Sequence, residues 1–412
     1  MIKFYKPYKF YIISFSRLLL SMLFIFSGYV KSVDYMGTSI KIEEYLYAFG
    51  LDFLTNYADY FSILLCASEF LLGVMLLTKI RPKFTSIITL IYISFFLLIT
   101  AYIFIADPVS DCGCFGDAIK LSNRATFLKN VIFFIIAFYL YLDNKNNNTE
   151  FEKSEKTALN LAVLLSLFIP LYSYFFVTNF DFLPYHIGVS LREATSIPEN
   201  APTDKYETKL IYKNIKTGEN KTFLISDTTW QNNELWCFVE SKQELISKGF
   251  TPEIKSFDIT DKYGNIVTDS LLNKHGYTLF IIDNNMKQLS KKNYQQLNKI
   301  DNLFDCVILT TADISTSKML VENKYDFNTD IYNLDETTLK SFLRSDKGVV
   351  LIKDGVILGK RNFNDIFNLE NGDDIEKEVI KENRIRKTIY YTVLLIWLFY
   401  IFLYASKKEE DE

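Results

Sequence analysis

Histidine and cysteine are scarce in this sequence of 412 residues. It contains two histidines, His186 and His275, and five cysteines. The cysteines are Cys66, Cys112, Cys114, Cys237 and Cys306. No set of them has the paired spacing of a zinc site, so the sequence predicts no metal centre. The net charge is −4 without a clustered basic run, which argues against nucleic acid as a partner.

Long apolar runs, in contrast, are frequent, and hydrophobic residues make up 49% of the chain. A helix crosses the apolar core of a bilayer with about 20 residues, and six runs approach or exceed that length. They are Phe10–Val30, Tyr57–Thr78, Phe84–Ala106, Thr126–Leu142, Leu159–Val177 and Ile389–Ala405. The sequence therefore predicts a membrane α-helical bundle. A four-helix domain over 1–150 is followed by a fifth membrane helix over 157–178 and a C-terminal one over 388–405.

Basic residues near the short loops predict the orientation of the bundle. The segment before the first run is basic, and the second short loop carries Lys79, Arg81 and Lys83. By the positive-inside rule these lie in the cytoplasm, which predicts a multi-pass protein of the bacterial inner membrane with its soluble part in the periplasm. The first run ends without an A-x-A-like cleavage site, so we interpret it as an uncleaved helix. The basic segment 381–387 would lie outside, which long translocated domains tolerate.

Two charged residues fall inside the predicted bundle, where charge is costly unless it is paired or functional. Counted at 1.5 Å per residue, Arg17 lies about 10 Å and Glu69 about 14 Å from the cytoplasmic ends of their helices. These similar depths predict an Arg17–Glu69 ion pair. The alternative is that Arg17 extends to the surface while Glu69 faces a neighbouring hydroxyl.

Cys66, Glu69 and Gly73 are spaced at i, i+3 and i+7, so they share one face of the second membrane helix. A small residue on such a face favours close approach of a neighbouring helix. For Cys66 the expected role is a small apolar residue at a helix contact. A resolving thiol inside the bundle is the alternative.

The loop between the third and fourth runs holds the one close pair of thiols, Cys112 and Cys114, in the stretch DCGCFGD. The pair could be a redox element, half of a metal site or part of a tight turn. A Cys-Gly-Cys disulfide closes a small strained ring that is easily reduced, which favours exchange over permanent cross-linking. The flanking Asp111 and Asp117 are expected to raise the pKa of both thiols and so to oppose a reactive thiolate.

The residues around the thiols predict how the loop is built. Gly113 and Gly116 permit backbone conformations that a Cβ would block. Pro108 is expected to end the preceding helix, and Ser122 or Asn123 to cap the next one.

Three stretches carry a resemblance to a known family. They are RLLLSMLFIFSGYVKSVDYMG, LLCASEFLLGVMLLTKIRPK and DPVSDCGCFGDAIKLSNRATFLKN. In order and loop length, residues 10–142 resemble the DoxX-like superfamily, and within it the MauE branch and related proteins of Bacteroidetes membranes. The resemblance implies a four-helix membrane bundle with Cys112 and Cys114 as its redox element. It also implies disulfide formation during methylamine dehydrogenase maturation for MauE members and quinone-coupled oxidation for DoxX members. The large appended domain of this chain departs from the MauE pattern.

The residues between the fifth and sixth runs have the composition of a soluble domain. Residues 179–276 are predicted to be a Pro-containing linker and a β-rich segment with strands in TKLIYKN, KTFLIS, ELWCFVES and EIKSFDI. Residues 277–380 alternate strands and helices, then form a hairpin at Asp354–Gly355 and a last helix starting in NFNDIFN. This order is similar to that of a thioredoxin-like α/β domain.

The thioredoxin-like region lacks the chemistry of that fold. The Cys-x-x-Cys that should follow its first strand is replaced by DNNMK at 283–287. Cys237 and Cys306 are expected to be core residues. We therefore expect this domain to bind or position a partner without thiol chemistry of its own.

Two functional hypotheses follow. In the first, Cys112 and Cys114 cycle in thiol–disulfide or quinone-linked redox chemistry, in contact with membrane lipid and a periplasmic client protein. The supporting residues would be Gly113, Phe115, Gly116, Arg17, Glu69 and Cys66. In the second, the protein is a non-enzymatic membrane scaffold whose thioredoxin-like domain binds an envelope partner. A quinone is the one cofactor considered; a transporter lacks support, because the helices are unbroken and unrepeated.

Overall fold

Six helices among the described residues are long and apolar enough to cross a membrane. The structure is a computed structural model and describes residues 5–109, 112–119, 121–147, 153–177, 181–198, 200–286, 291–300, 304–367 and 375–411. The six are α1 (Tyr5–Val33), α3 (Ala58–Leu77), α4 (Pro82–Ala106), α5 (Asn123–Asn144), α6 (Lys153–Phe175) and α12 (Ile375–Asp411). They confirm the six runs predicted from the sequence, and the chain is a multi-pass membrane protein.

Two glycines bring α1 and α3 into backbone contact. A Cβ on Gly28 would lie 2.4 Å from the backbone nitrogen of Phe70, and one on Gly73 would lie 2.6 Å from that of Ile25. No side chain fits between the helices at these points, as the small residue at position 73 predicted. The two contacts fix the register of this pair, which brings Glu69 level with the C-terminal part of α1.

A helix that the sequence did not predict, α2 (Tyr35–Ala48), follows α1 directly. The Asp34 carboxylate caps it by accepting a hydrogen bond from the backbone N–H of Gly37. From the sequence, residues 31–54 are expected to be the loop between the first two membrane helices. The first residues of α2 are nevertheless buried, since the helix packs along α3. A 3-10 helix, Asp52–Tyr57, leads into α3.

A mixed five-stranded sheet occupies the C-terminal half, and we call residues 277–367 the sheet domain. Its strands are β4 (Tyr277–Asp283), β5 (Asp305–Thr310), β6 (Asp330–Asn333), β7 (Lys347–Lys353) and β8 (Val356–Asn362), in the order β6-β5-β4-β7-β8. The first three are parallel and the last two antiparallel. The connecting helices are α9 (Lys291–Ile300), α10 (Ile314–Tyr325) and α11 (Glu336–Leu343). This order of strands and helices is the predicted one.

The core of the sheet domain lies where apolar side chains of the central strands meet the helices. Leu279 and Ile281 of β4 and Leu297 of α9 are fully buried there. The hairpin between β7 and β8 turns at Asp354 and Gly355, whose φ angles of 49° and 81° suit a tight hairpin turn. This confirms the predicted hairpin.

The last helix differs from the prediction. Residues Phe363–Asp365 form only a 3-10 turn. The final helix, α12, begins at Ile375, so the basic segment 381–387 and the last membrane run belong to one continuous helix.

The chain divides into two compact units, residues 1–191 with 258–412, and residues 192–257. The second unit contains an antiparallel sheet in the order β2-β1-β3. Its strands are β1 (Lys205–Asn214), β2 (Asn220–Leu224) and β3 (Trp236–Ser247). Two further short helices, α7 (Leu191–Thr195) and α8 (Thr268–Leu272), precede and follow this sheet in the chain. Three of the four strands predicted in this region are confirmed, whereas residues 253–259 form none.

The expectation that Cys237 and Cys306 are both core residues is wrong for Cys237. Cys306 is buried on β5, but Cys237 is exposed. The reason is that β3 leaves almost its whole length exposed, whereas β5 lies inside a five-stranded sheet that is covered by helices.

Candidate functional site

The loop that carries Cys112 and Cys114 is held at both ends as predicted. α4 ends at Ala106, two residues before Pro108. The Ser122 hydroxyl caps α5 by accepting a hydrogen bond from the backbone N–H of Ala125. These ends fix the loop at one face of the bundle, near the junction of α1 and α2.

Gly113 and Gly116 both adopt the left-handed backbone conformation, with φ angles of 61° and 54°. The N–H of Gly116 donates to the carbonyl of Gly113 at 3.0 Å, which closes a tight turn around Cys114. Most residues other than glycine disfavour this conformation. The turn therefore depends on the two positions that the sequence singled out.

This turn brings the two thiols together. The Sγ atoms of Cys112 and Cys114 are 2.9 Å apart, and both cysteines are free. Cys112 is 8% exposed, whereas Cys114 is only partly buried. A small movement would bring the sulfurs to the roughly 2.05 Å of a disulfide bond.

Helix α2 covers the Cys112 side of the loop. The Tyr45 hydroxyl donates to the carbonyl oxygen of Cys112 at 2.6 Å. The aliphatic stem of Lys41 packs against Gly113, where a Cβ would lie 3.0 Å from its Cγ. A helix that sequence reasoning missed therefore encloses one of the two thiols.

The predicted Arg17–Glu69 ion pair is wrong, because Glu69 pairs with Lys31. Lys31 Nζ lies 2.7 Å from Glu69 Oε1, and both side chains are almost completely buried. The glycine contacts between α1 and α3 set this register. Arg17 lies fourteen residues before Lys31, or about 21 Å along the helix, so equal depth counted from the ends of the runs was misleading.

Ser27 links this ion pair to the thiol loop. Its Oγ lies 2.8 Å from Glu69 Oε2 and 2.8 Å from the carbonyl oxygen of Cys114. Lys31, Glu69 and Cys114 also line one cavity of about 50 Å³. Cys66, one turn before Glu69 on α3, is completely buried.

A second lysine approaches the loop from α5. Lys129 Nζ lies 4.4 Å from the ring centroid of Phe115 and lines the same cavity as Cys114. Ammonium groups bind the faces of aromatic rings. Phe115 therefore holds a positive charge beside the thiols, and its ring packs against Phe26 with centroids 5.7 Å apart.

The two thiols are not equivalent. The hydrogen bond from Cys112 lowers the pKa of Cys114, burial opposes this, and Lys129 and Lys31 add to the lowering, which brings the pKa to about 6. The same hydrogen bond, together with burial, raises the pKa of Cys112. Cys114 is therefore the thiolate of the pair and Cys112 the protonated donor.

The expectation that flanking carboxylates oppose a thiolate is wrong for Asp117; Asp111 lies outside the described residues. The Asp117 carboxylate accepts a hydrogen bond at 2.9 Å from Arg344, the residue that follows α11. Its charge is compensated there, whereas Lys129 and Lys31 lower the pKa of the Cys114 thiol and Glu69 raises it.

Arg344 joins the sheet domain to the thiol loop. Its side chain is 1% exposed, and its Nη2 lies 2.7 Å from Asp34 and 2.9 Å from Asp117. Its Nε lies 3.3 Å from Asp181, which also receives Lys360 Nζ at 2.8 Å. We call these five residues the Arg344 cluster.

The pKa values of two carboxyl groups in the Arg344 cluster shift in opposite directions. Burial raises the pKa of Asp34 to about 6 although Arg344 opposes the rise. Burial also acts to raise the pKa of Asp181, but Lys360 and Arg344 outweigh it and the pKa is lowered. A second link lies nearby on α11, where Lys340 Nζ is 2.9 Å from Glu43 of α2.

Sequence reasoning missed Lys31, Lys129 and Arg344. Lys31 had one local signal, since it follows Ser27 by one helical turn and stands at the end of an apolar run. Lys129 and Arg344 had none, because their partners are distant in sequence.

Comparisons with known proteins agree with the membrane part of this description. Residues 9–143 match the family described as Methylamine utilisation protein MauE, and residues 206–248 match a domain of unknown function, DUF8463. Protein TlpB of Flavobacterium psychrophilum is 28% identical over 156 residues, which are 37% of this chain and 42% of TlpB. The chain thus matches less than half of the length of that relative. No solved structure matches. The chain contains a MauE-like membrane domain.

Proposed function

We propose that this protein carries out thiol–disulfide exchange at the periplasmic face of a bacterial inner membrane, through Cys112 and Cys114. The observation that carries the proposal is the 2.9 Å separation of the two sulfurs. Two lysines line the cavity beside Cys114, and the similarity of residues 9–143 to MauE adds support. The basic residues of the N-terminal segment and of the α3–α4 turn support a cytoplasmic N-terminus.

Burial and charge assign different roles to the two cysteines. The Cys114 thiolate attacks a disulfide of a client protein, which forms a mixed disulfide and releases one client thiolate. Cys112 then transfers its proton to the released client thiolate and attacks the sulfur of Cys114, which releases the second client sulfur as a thiolate. The products are a Cys112–Cys114 disulfide and a reduced client. In the reverse direction the same steps oxidise a client dithiol, so atoms and electrons balance either way.

A quinone is the electron acceptor that the resemblance to DoxX implies, and the cavity allows its fit to be tested. Lys31 and Lys129 could donate hydrogen bonds to quinone oxygens. The cavity volume of about 50 Å³ is, however, well below the roughly 150 Å³ that holds a benzene ring in a protein interior. The residues as they stand do not enclose a quinone ring, and the reaction we propose is exchange between thiols and disulfides.

The sheet domain supports a role in holding the client. Its order of strands and helices is similar to that of a thioredoxin-like domain, in which the stretch DNNMK at 283–287 replaces the usual Cys-x-x-Cys. Asn284 donates to Glu336 of α11 at 3.0 Å. Since α11 also carries Lys340 and is followed directly by Arg344, this face of the domain lies against α2 and the thiol loop.

The alternative function is a non-enzymatic membrane scaffold in which the sheet domain recruits an envelope partner. One observation favours it: α2 and the Arg344 cluster enclose the thiol loop, which suits a structural turn as well as a gated site. Under this alternative the redox state of the thiols would not change.

Mass-shift thiol trapping in intact cells tests the proposal. Cys112 and Cys114 should shift between reduced and oxidised forms when dithiothreitol or diamide is added and removed. A Cys112→Ser variant should accumulate a mixed disulfide at Cys114, while Cys237→Ser, which removes an exposed thiol, should behave as the wild type. In a second experiment membrane quinones are depleted, and the rate at which Cys112 and Cys114 return to their initial redox state is measured again. If both thiols kept one state and no mixed disulfide formed, the scaffold would be the correct interpretation.

A further inference from the structure

The Lys31–Glu69 ion pair is buried between α1 and α3, where stability of the bundle does not require charged residues. Its two members are 4% and 3% exposed. Burying two charges is costly even when they pair, and an apolar pair of similar volume is often at least as stable. The chain nevertheless places this pair at the wall of the cavity that Cys114 lines.

The pair is also tied to the backbone of Cys114. The Ser27 hydroxyl contacts Glu69 and the carbonyl oxygen of Cys114, each at 2.8 Å. Ser27 and Lys31 are one turn apart on α1, so they face the loop from the same side. Movement of the ion pair would therefore move the thiol as well.

The groups around the Cys114 thiol come from every element packed against it. They are Lys31 of α1, Glu69 of α3, Lys129 of α5 and Cys112 of the loop itself, while Tyr45 of α2 contacts Cys112. Two cations therefore face one carboxylate. Glu69 holds the ammonium of Lys31 at the cavity wall, and Lys31 lowers the pKa of Cys114 by more than Glu69 raises it.

We propose that Lys31 is a positioning residue of the thiol pair, whose ammonium, held at the cavity wall by Glu69, stabilises the thiolate of Cys114. This inference rests on the proposed function and adds two residues to its site. A charge inside a bundle is costly unless it is paired. Glu69 compensates the charge of Lys31 at 2.7 Å, and Ser27 contacts both Glu69 and the backbone of the loop.

The test measures ionisation of Cys114 in full-length protein in nanodiscs, in a Cys112→Ser background where the serine hydroxyl can replace the donor. Iodoacetamide alkylation of Cys114 is followed by mass spectrometry from pH 5 to pH 9. The variants are Lys31→Met with Glu69→Gln, which removes both charges, and Lys31→Glu with Glu69→Lys, which reverses them. Lys31→Arg keeps the cation. Lys9→Met is the matched control, because Lys9 is an α1 lysine paired with Asp143 at 2.8 Å, about 33 Å away along the helix.

Below the thiol pKa, alkylation tracks the thiolate fraction, which changes tenfold for each unit of pKa. We expect the rate at pH 6 to fall by about threefold to tenfold in the uncharged variant and further in the reversed one. Lys31→Arg and Lys9→Met should stay within about twofold of the parent. A purely structural pair predicts a different order, because the reversed variant would regain both stability and the parental rate.

Thermal unfolding shows which variants are folded. The alkylation rates are then compared between one charged and one uncharged variant, both with the unfolding temperature of the parent protein. Equal alkylation rates in such a pair would overturn the proposal. Alkylation needs no turnover. A protein whose thiols never cycle in cells could still show the shift, so this result and the trapping experiment fail independently.

Discussion

The guanidinium of Arg344 lies 2.9 Å from the carboxylate of Asp117, three residues after Cys114. This contact joins the C-terminal end of α11 in the sheet domain to the thiol loop of the membrane bundle. Asp34 and Asp181 complete the cluster from the start of α2 and the segment after α6. One buried side chain thus holds four separate segments of the chain around the candidate site.

Replacing Arg344 by Gln should destabilise the protein strongly. The change removes the guanidinium from the carboxylates of Asp34, Asp117 and Asp181, and removing one partner of a buried ion pair costs about 3–5 kcal/mol. The midpoint of denaturant unfolding in detergent measures the loss. Lys353→Gln is the control, since its pair with Glu376 is largely exposed and should contribute little. Equal midpoints for the two variants would contradict the role assigned to Arg344.

Replacing Gly113 by Ala should disturb the thiol pair more than replacing Gly116. Both changes strain a left-handed backbone, which costs roughly 1–2 kcal/mol. A Cβ at Gly113 would in addition press on Lys41 at 3.0 Å, whereas one at Gly116 meets only Val30 at 3.9 Å. The fraction of Cys112–Cys114 disulfide formed at a fixed glutathione ratio reports the effect. A larger change in Gly116→Ala would show that the α2 cover does not shape the loop.

Gly28→Ala should separate α1 from α3. The added methyl would lie 2.4 Å from the backbone of Phe70, and overpacking a close contact costs about 1–3 kcal/mol. We expect a lower unfolding temperature and a Lys31–Glu69 ion pair that is more accessible to water. Leu98→Ala, at a side chain that is mostly exposed, should change the unfolding temperature little. No difference between the two would mean that the glycine contact does not set the register.

Alkylation of Cys114 in the unaltered protein should depend on pH in a way that a free cysteine does not. The pKa of Cys114 is lowered to about 6 by the hydrogen bond from Cys112 and the nearby lysines. The thiolate fraction rises with pH, so the rate should be half-maximal near pH 6 and close to its plateau at pH 7. A free cysteine, with a pKa of about 8.5, is mostly protonated at pH 7. A midpoint above pH 8 would exclude an activated thiolate.

Local features of the site were predictable because they depend on neighbouring residues. Two cysteines separated by one glycine must lie close together, and Gly113 and Gly116 indicated the turn that joins their sulfurs. Pro108 and Ser122 marked the ends of the flanking helices for the same reason. The partner of Glu69 was not predictable, since counting residues from the ends of apolar runs assumes that neighbouring helices end at the same depth.

Local sequence patterns predicted the membrane runs, the order of strands and helices in the sheet domain and the proximity of Cys112 and Cys114. Hydropathy, periodicity and turn residues act over a few positions, so they can be read without a structure. The tertiary structure alone decided that Lys31 rather than Arg17 meets Glu69, that α2 covers the loop and that Arg344 reaches Asp117. A shift of a few ångströms between two elements would break each of these contacts. The positions of the elements are set by how closely the backbones of α1 and α3 approach at their glycines and by how the sheet domain packs on the bundle.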